Sequence, residues 1–285
     1  IRAMLIKDDG AKQTIGLHKS VSGTQIHLSG KKIQQLSSLA KTVPLGIITA
    51  NIHKILDDGP GYRRRLLHWG LFHVEPSYAA LIKEFRKILM QRNSALKQGR
   101  FEARLWDRQY VQKAELIRDK HRAYLTGLME RLQGKLAAYA SLKNLLIEYR
   151  QGWNNRFTLM EELQQKIRQD QIRGYTSSGS HRCDIKLTID GRAAEDMLSR
   201  GQQKTLGIIL ILSQLEMIKI KNNESPILLI DDFPAELDLS TQQSLLKLFT
   251  QSDSQIIMTS IESVKYDRLM LDSMRMFHVE HGEII

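Results

Sequence analysis

The residues best placed to do chemistry lie in the last third of the chain. An apolar run, Ile227-Leu228-Leu229-Ile230, ends on two adjacent carboxylates, Asp231 and Asp232. A buried strand that delivers two acids to its mouth can hold a hard cation such as Mg²⁺ with the first, usually through water, and act on a nucleophilic water with the second. The other reading is an ordinary strand-end turn. Upstream, Leu198-Ser199-Arg200-Gly201-Gln202-Gln203 precedes an apolar stretch that starts at Leu206. Ser199 is a natural N-cap and Gly201 lets a backbone approach an anion closely. A phosphate there would meet free N–H groups and the positive end of a helix dipole. A Ser-x-Gly cap has a purely structural reading of equal weight. Beyond the acidic strand end comes Ala235-Glu236-Leu237-Asp238, so three short segments follow one another in a fixed order.

Periodicity predicts the elements that must carry these residues. Residues 1–50 read as β-rich: Ile15/Leu17 and Ile26/Leu28 alternate, with turns at Ser22-Gly23 and Ser29-Gly30. Pro44–Ile48 reads as a buried strand and Ile52–Leu56 as a short helix. Asp57–Gly61 is a breaker, after which Tyr62 opens a helix. From Ser77 the period becomes helical. Leu81, Phe85, Ile88/Leu89 and Leu96 share one face, and Gly99 interrupts. The stripe Tyr110, Ala114, Ile117, Tyr124, Leu128, Leu132 then predicts a helix reaching about Tyr149, roughly 60–70 Å long at 1.5 Å per residue. Gly127 and Gly134 weigh against its continuity. A loop at 151–155 leads to a return helix carrying Leu159, Leu163 and Ile167. Residues 77–173 are thus expected to form an arm of two to four antiparallel helices. Beyond Arg173, Cys183–Ile189 alternates like a strand, Leu206–Ile220 reads as an apolar helix and Ser240–Phe249 as an amphipathic one. Gln255–Thr259 and Met276–Val279 read as strands. Strand–helix–strand alternation with apolar strands predicts an α/β fold around a parallel, buried sheet.

Composition narrows the classes. In 285 residues, 42% are hydrophobic and 26% charged, the balance of a globular chain rather than a disordered one. The longest apolar run, Ile208–Leu212, is far too short to span a membrane. A single cysteine, Cys183, excludes an internal disulfide and a multi-cysteine metal cluster, and a cytosolic setting is expected. The net charge of +11 is concentrated: residues 77–173 hold 20 Lys+Arg and 10 Asp+Glu, a surplus of 10. That suggests a polyanion partner, although Lys and Arg also coat the solvent face of any long helix. His278-x-x-His281 has metal-like spacing without a third ligand nearby.

With these segments in hand, a resemblance emerges. Leu198–Gln202 is similar to the signature motif of the ATP-binding-cassette ATPases, Leu228–Asp232 to their Walker B strand, and Ala235–Asp238 to their D-loop. Gln255–Ser260 stands where the switch strand belongs. More narrowly the chain resembles the RecF family, recombination-mediator ATPases related to SMC proteins. Gly59–Leu67, Trp69–Pro76, Gln91-Arg92-Asn93 and Leu229–Phe233 carry that match, which extends over essentially the whole chain. The departures are specific. The family's phosphate-binding loop, G-x-x-x-x-G-K-[ST], is not found. Gly30-Lys31-Lys32 lacks the upstream glycine and the hydroxyl, and reads as a hairpin turn. The family places that loop ahead of the point where this sequence starts, on Ile1 within what reads as the middle of a strand, so a preceding segment is expected. Ser180 replaces a usual proline, and Ala50-Asn51 a Pro-acid pair.

The resemblance implies an ABC-type, SMC-like ATPase head with an inserted antiparallel helical arm. The N-terminal lobe would be 1–76, the arm 77–173 and the C-terminal ATPase subdomain 174–285. It implies ATP and Mg²⁺ sandwiched between two copies, each nucleotide touched by the partner's Ser199, Gly201 and Gln202. Asp231 would position Mg²⁺, Asp232 would polarise the attacking water and Asp238 would communicate across the interface. An ATP-dependent homodimer would then clamp DNA, single-stranded or gapped or junction duplex, without sequence readout, in recombinational repair and replication-fork maintenance. Weak, DNA-stimulated hydrolysis would release it, and RecR and RecO would be the protein partners. The alternative is a truncated or degenerate member of the family that binds DNA or a partner without nucleotide turnover. A transporter cassette fits poorly, because about 100 residues of helical insertion precede the signature.

Overall fold

The computed structural model describes residues 2–7, 9–21, 23–33, 36–99, 101–233, 235–261, 274–281 and 283–284. In chain order the first elements are β1 (Arg2–Ile6), β2 (Lys12–Ser20), β3 (Gly23–Leu28), β4 (Lys31–Lys32), α1 (Leu36–Thr42) and β5 (Leu45–Ile48). A 3₁₀ turn at Ala50–His53 leads to α2 (Lys54–Asp57), α3 (Gly59–Val74), α4 (Tyr78–Lys97) and α5 (Asp107–Leu136). Then follow β6 (Leu145–Arg150), α6 (Leu159–Arg173), β7 (Asp184–Ile189), β8 (Arg192–Ala193), α7 (Ala194–Met197) and α8 (Arg200–Asn222). The last elements are β9 (Ile227–Ile230), α9 (Leu239–Thr250), β10 (Gln255–Met258), β11 (Val279–Glu280) and β12 (Glu283–Ile284). The chain divides into two compact units, one formed by 1–51 with 225–285 and the other by 52–224.

The first unit contains the expected antiparallel strands, in the order β1-β2-β3-β4, and a parallel sheet in the order β10-β9-β5. Ile15 faces Leu28 and Leu17 faces Ile26 across β2 and β3, so the period-two pattern reports a true ladder. Ser22, half of one predicted turn, lies outside the described residues; the Gly30-Lys31-Lys32 segment is the turn and fourth strand of a hairpin. In the parallel sheet, Ile227–Ile230 pairs in register with both Leu45–Ile48 and Gln255–Met258. Ile48, Leu228, Ile230, Phe233, Leu245, Leu246 and Phe249 are buried, and the Phe233 and Phe249 rings meet edge to face at 5.5 Å. The last predicted strand is displaced: residues 274–278 have no regular structure, and Val279–Glu280 pairs with Glu283–Ile284 instead.

The second unit packs α3, α4, α5, α6 and α8 with a sheet in the order β6-β7-β8. Leu81, Phe85 and Ile88 of α4 meet Tyr110, Ala114 and Ile117 of α5, and Leu159 and Leu163 of α6, in one core. The apolar spacing had marked these positions. Two boundaries differ from expectation. Helix α3 begins at Gly59, not Tyr62, because Pro60 sits in the first turn, where its missing N–H costs nothing. Helix α5 stops at Leu136, about 45 Å by its 30 residues. Leu145–Arg150 is a strand, paired antiparallel with Asp184–Ile189. Within Leu145-Leu146-Ile147-Glu148-Tyr149-Arg150 the alternation is real, but its register becomes visible only once the partner strand, some 40 residues away, is known.

A buried polar knot ties three helices together. Arg92 is fully buried; its Nε donates to Asp107 at 2.8 Å, and its Nη1 to Thr176 Oγ1 at 2.7 Å and Asp170 at 3.4 Å. Asn93 accepts from the backbone and the hydroxyl of Thr176. Arg92 and Asn93 of the Gln91-Arg92-Asn93 segment are therefore architecture, with Arg92 holding α4, α5 and α6 in one geometry.

Candidate functional site

The mouth of β9 is built by register. Because Ile230 pairs with Ile48 on one side and Met258 on the other, the ladders run one step further: Asp231 N–H donates to Ile48 O, and Thr259 N–H donates to Ile230 O, both at 2.9 Å. This puts the Thr259 hydroxyl between the Asp231 carboxylate and the Asp232 backbone N–H. Its Oγ1 donates to Asp231 Oδ1 at 2.9 Å and accepts from Asp232 N–H at 3.0 Å. Asp232 takes a left-handed conformation, φ +55°, which an aspartate tolerates better than most residues. The chain thereby turns sharply, and Phe233 is fully buried with its N–H on Thr259 O. Asp231 is exposed and Asp232 half-exposed, so neither carboxylate points into a packed interior. Thr259 was not singled out from the sequence. Its signal was a hydroxyl one residue past a neighbouring parallel strand, legible only once the register is known.

Asp238 stands at the N-cap of α9, accepting from Thr241 N–H at 2.9 Å and from the Thr241 hydroxyl at 2.7 Å. These bonds, the backbone one foremost, lower its carboxyl to about 2. The residue therefore has a local structural task whatever else it does.

In the other unit, Ser199 is the N-cap of α8 in a reciprocal capping box: its Oγ accepts from Gln202 N–H at 3.4 Å, and Gln202 Oε1 accepts from Ser199 N–H at 3.0 Å. Ser199 and Gln202 thus spend these groups on each other. Gly201 follows in the first turn, its carbonyl accepting from the Thr205 hydroxyl. The flanking Arg200 pairs with Asp57 at 2.9 Å. Beyond Gln202 the helix is buried almost continuously from Gln203 to Leu215, which fixes its N-terminus rigidly.

The Arg63-Arg64-Arg65 run, inside the Gly59–Leu67 segment that carries part of the family match, divides its labour. Arg63 makes a bidentate pair with Asp184 at 2.9 and 3.0 Å and caps the end of α2 through Leu56 O. Arg64 donates to Cys183 O at 2.9 Å. Arg65 is exposed and lies over the Tyr62 ring. His181 is a loop contact, bonded to Thr176 O and to the Tyr110 hydroxyl, and burial lowers it to about 4. Gly179 beside it sits at φ +138°, and a Cβ there would come within 1.9 Å of the Tyr110 oxygen. His278 and His281 are exposed, His278 reaching Glu280 at 4.0 Å.

Among the described residues no three His, Cys, Asp or Glu side chains converge as a metal cage. Two carboxylates and a hydroxyl at one strand mouth suit a hard cation that keeps its waters and shares phosphate oxygens, as Mg²⁺ does, rather than a protein-only cage.

The RecF/RecN/SMC N-terminal domain family matches residues 4–284. This chain belongs to that family. Two curated members are the DNA replication and repair proteins RecF of Shewanella oneidensis, 34% identical over 95% of this chain and 76% of the relative, and of Shewanella pealeana, 33% identical over 97% and 78%. A solved structure of the recombination mediator protein RecF with ATP superposes with a TM-score of 0.79 at 24% identity, over 93% of this chain and 75% of that one. An SMC head bound to the C-terminal winged-helix domain of ScpA superposes with a TM-score of 0.51 at 13% identity. These likenesses bear out the expected RecF-like, SMC-like α/β head. No described helix is long and apolar enough to cross a membrane.

Proposed function

We propose that this chain belongs to an ATP-dependent DNA-binding protein of replication and recombinational repair, in which two copies close on DNA around shared nucleotide. The observation that carries the reading is the strand mouth: Asp231, exposed, and Asp232, half-exposed, at the end of the middle strand of a parallel sheet, with one hydroxyl bonded to the first carboxylate and to the backbone of the second. Bound ATP with Mg²⁺ supplies an electrophilic, charge-neutralised γ-phosphoryl group. Asp231 would hold the cation through water. Asp232 would orient and polarise the attacking water, its carboxylate aimed by the left-handed turn that buries Phe233. The start of α8, with Gly201 N–H and the Ser199–Gln202 cap, would receive the partner copy's phosphates. Asp238 would sense the partner through α9. The surplus charge of the 77–173 arm fits contact with backbone phosphates, which gives salt-sensitive, sequence-independent binding. RecO- and RecR-type proteins are the candidate protein partners.

The test is made on the full-length gene product. Light scattering and fluorescence anisotropy measure its dimerisation and its DNA affinity with and without ATP. The expected result is a dimer and tighter DNA binding with ATP only. Asp232→Asn should keep both while lowering turnover by about 10²–10³. Dimerisation and DNA affinity indifferent to ATP would sink the reading.

A further inference from the structure

Where α3, α4 and α5 meet the loop at 180–181, the second unit opens a cleft of about 250 Å³. Its floor is apolar, made by Ile82, Phe85, Leu89 and Ile117, and its walls carry Arg64, Arg65 and Arg86. No acidic side chain lines it. Arg64 is half-buried with one N–H on Cys183 O, whereas Arg65 and Arg86 are exposed at the rim and make no ion pair among the described residues. Two histidines complete the wall. His68 bonds the Tyr78 hydroxyl at 2.5 Å; burial, and then Arg86 and Arg64, hold it neutral, down to about 4. With three guanidinium groups and no carboxylate, the cleft has positive charge to spare for an anion.

Arg86 also lines a second, shallower groove of about 590 Å³ on the outer face of α4, with Lys83, Lys87, Ala80, Glu84 and Met90. Lys83, Arg86 and Lys87 are spaced i, i+3 and i+4, so they share one helix face. All three are exposed, and none makes an ion pair among the described residues. Glu84, the one acid in the groove, is taken by Lys113 at 2.6 Å. Met90, 67% exposed, adds an apolar surface at the groove. A closed, single-charge pocket would suit a small phosphorylated molecule. Two cavities sharing an arginine, with five cations along them, suit a polymer of phosphates.

We infer that Arg64, Arg65 and Arg86, continued by Lys83 and Lys87, form a track for a single nucleic-acid strand, with the apolar floor of the cleft receiving one base or sugar of that strand. The cleft's size matches about one nucleotide rather than a duplex, and apolar floors beneath charged rims accept any base without reading it. The inference rests on the DNA-binding reading above and adds where the strand lies.

The experiment uses the full-length gene product with ATP and a 3′-labelled oligothymidylate of about 20 nucleotides, followed by anisotropy across a salt series. The Arg65→Ala/Arg86→Ala protein is expected to bind at least about tenfold more weakly near 0.1 M salt. Its log–log salt slope should fall by about 0.7 for each lost phosphate contact. Arg168→Ala, an exposed and unpaired arginine on α6 outside both cavities, should leave slope and affinity unchanged. Thermal unfolding should be the same for all three proteins, since the replaced side chains are exposed. Wild-type slope and affinity in the double variant would overturn this inference alone, as would an equal loss in Arg168→Ala. A wild-type protein that binds no strand with ATP would overturn it together with the DNA-binding reading. Thymidine monophosphate held through Arg65 and Arg86, while the strand binds equally to both proteins, would mark a free-nucleotide pocket and overturn the strand assignment.

Discussion

Thr259 shows how much can depend on one hydroxyl. It donates to the Asp231 carboxylate and accepts from the Asp232 backbone N–H, so one atom orients the first acid and pins the turn that carries the second. Thr259→Val keeps shape and β-branching and removes only that bridge. We expect ATP turnover to fall about tenfold or more, and stability by only about 1 kcal/mol, read from the urea midpoint. Unchanged turnover would assign the acids' orientation to the backbone alone. Arg92 is the opposite case, a charge with no contact with solvent. Arg92→Met strands Asp107 and Asp170 in the interior and should cost about 3–5 kcal/mol in equilibrium unfolding. Asp231 and Asp232 could be picked out from residue types alone. Thr259 could not, because nothing in Gln255–Ser260 says which hydroxyl will face the neighbouring strand's end.

At the level of elements, three described helices begin on side-chain caps: α6 on Thr158, α8 on Ser199 and α9 on Asp238. Ser199→Ala removes the acceptor for Gln202 N–H, and Asp238→Ala the acceptor for Thr241 N–H. The Ser199 change should lower stability by about 1 kcal/mol and the Asp238 change should lower it in the same direction, both measured by urea unfolding. Ser199→Asp, which can still cap, separates the two roles proposed for the position: stability should be retained while ATP-dependent dimerisation falls, since a carboxylate would face phosphate. The Ser199 cap was readable in advance because a short polar side chain ahead of a helical period is a local signal; the capping role of Asp238 came only with the structure. The end of α5 was not readable in this way. Leu132, Leu136 and Leu142 are all buried, so an apolar pattern runs on past the last helical turn, and pairing with β7 takes Leu145–Arg150 into a sheet.

Across the whole molecule, four histidines are kept neutral by burial. His68, His73 and His181 are lowered to about 4 and His121 to about 3. Below the ordinary histidine value of 6.5, the unfolded chain therefore binds more protons than the native one. Stability should be fully present above pH 6.5 and decline as pH falls toward 4, by up to about 1.4 kcal/mol per pH unit for each histidine. Chemical denaturation at several pH values checks this; a flat profile between pH 6.5 and 4 would show that these imidazoles are protonated in the native state. Asp238 acts in the same direction at lower pH, since its depressed carboxyl favours the native state only while ionised.

What the amino-acid order determined alone was whatever is encoded over a few neighbours: the period of the β2–β3 ladder and of α4, the cap at Ser199, the acids after Ile230, and the family to which their order belongs. Tertiary structure decided what depends on residues far apart in sequence. It put Thr259 against two carboxylates, spent Arg63 and Arg64 on Asp184 and Cys183, buried Arg92 among α4, α5 and α6, and left Arg65 and Arg86 open around one cleft. Whether a charge is consumed or free is set by what packs beside it, and that is a property of the fold.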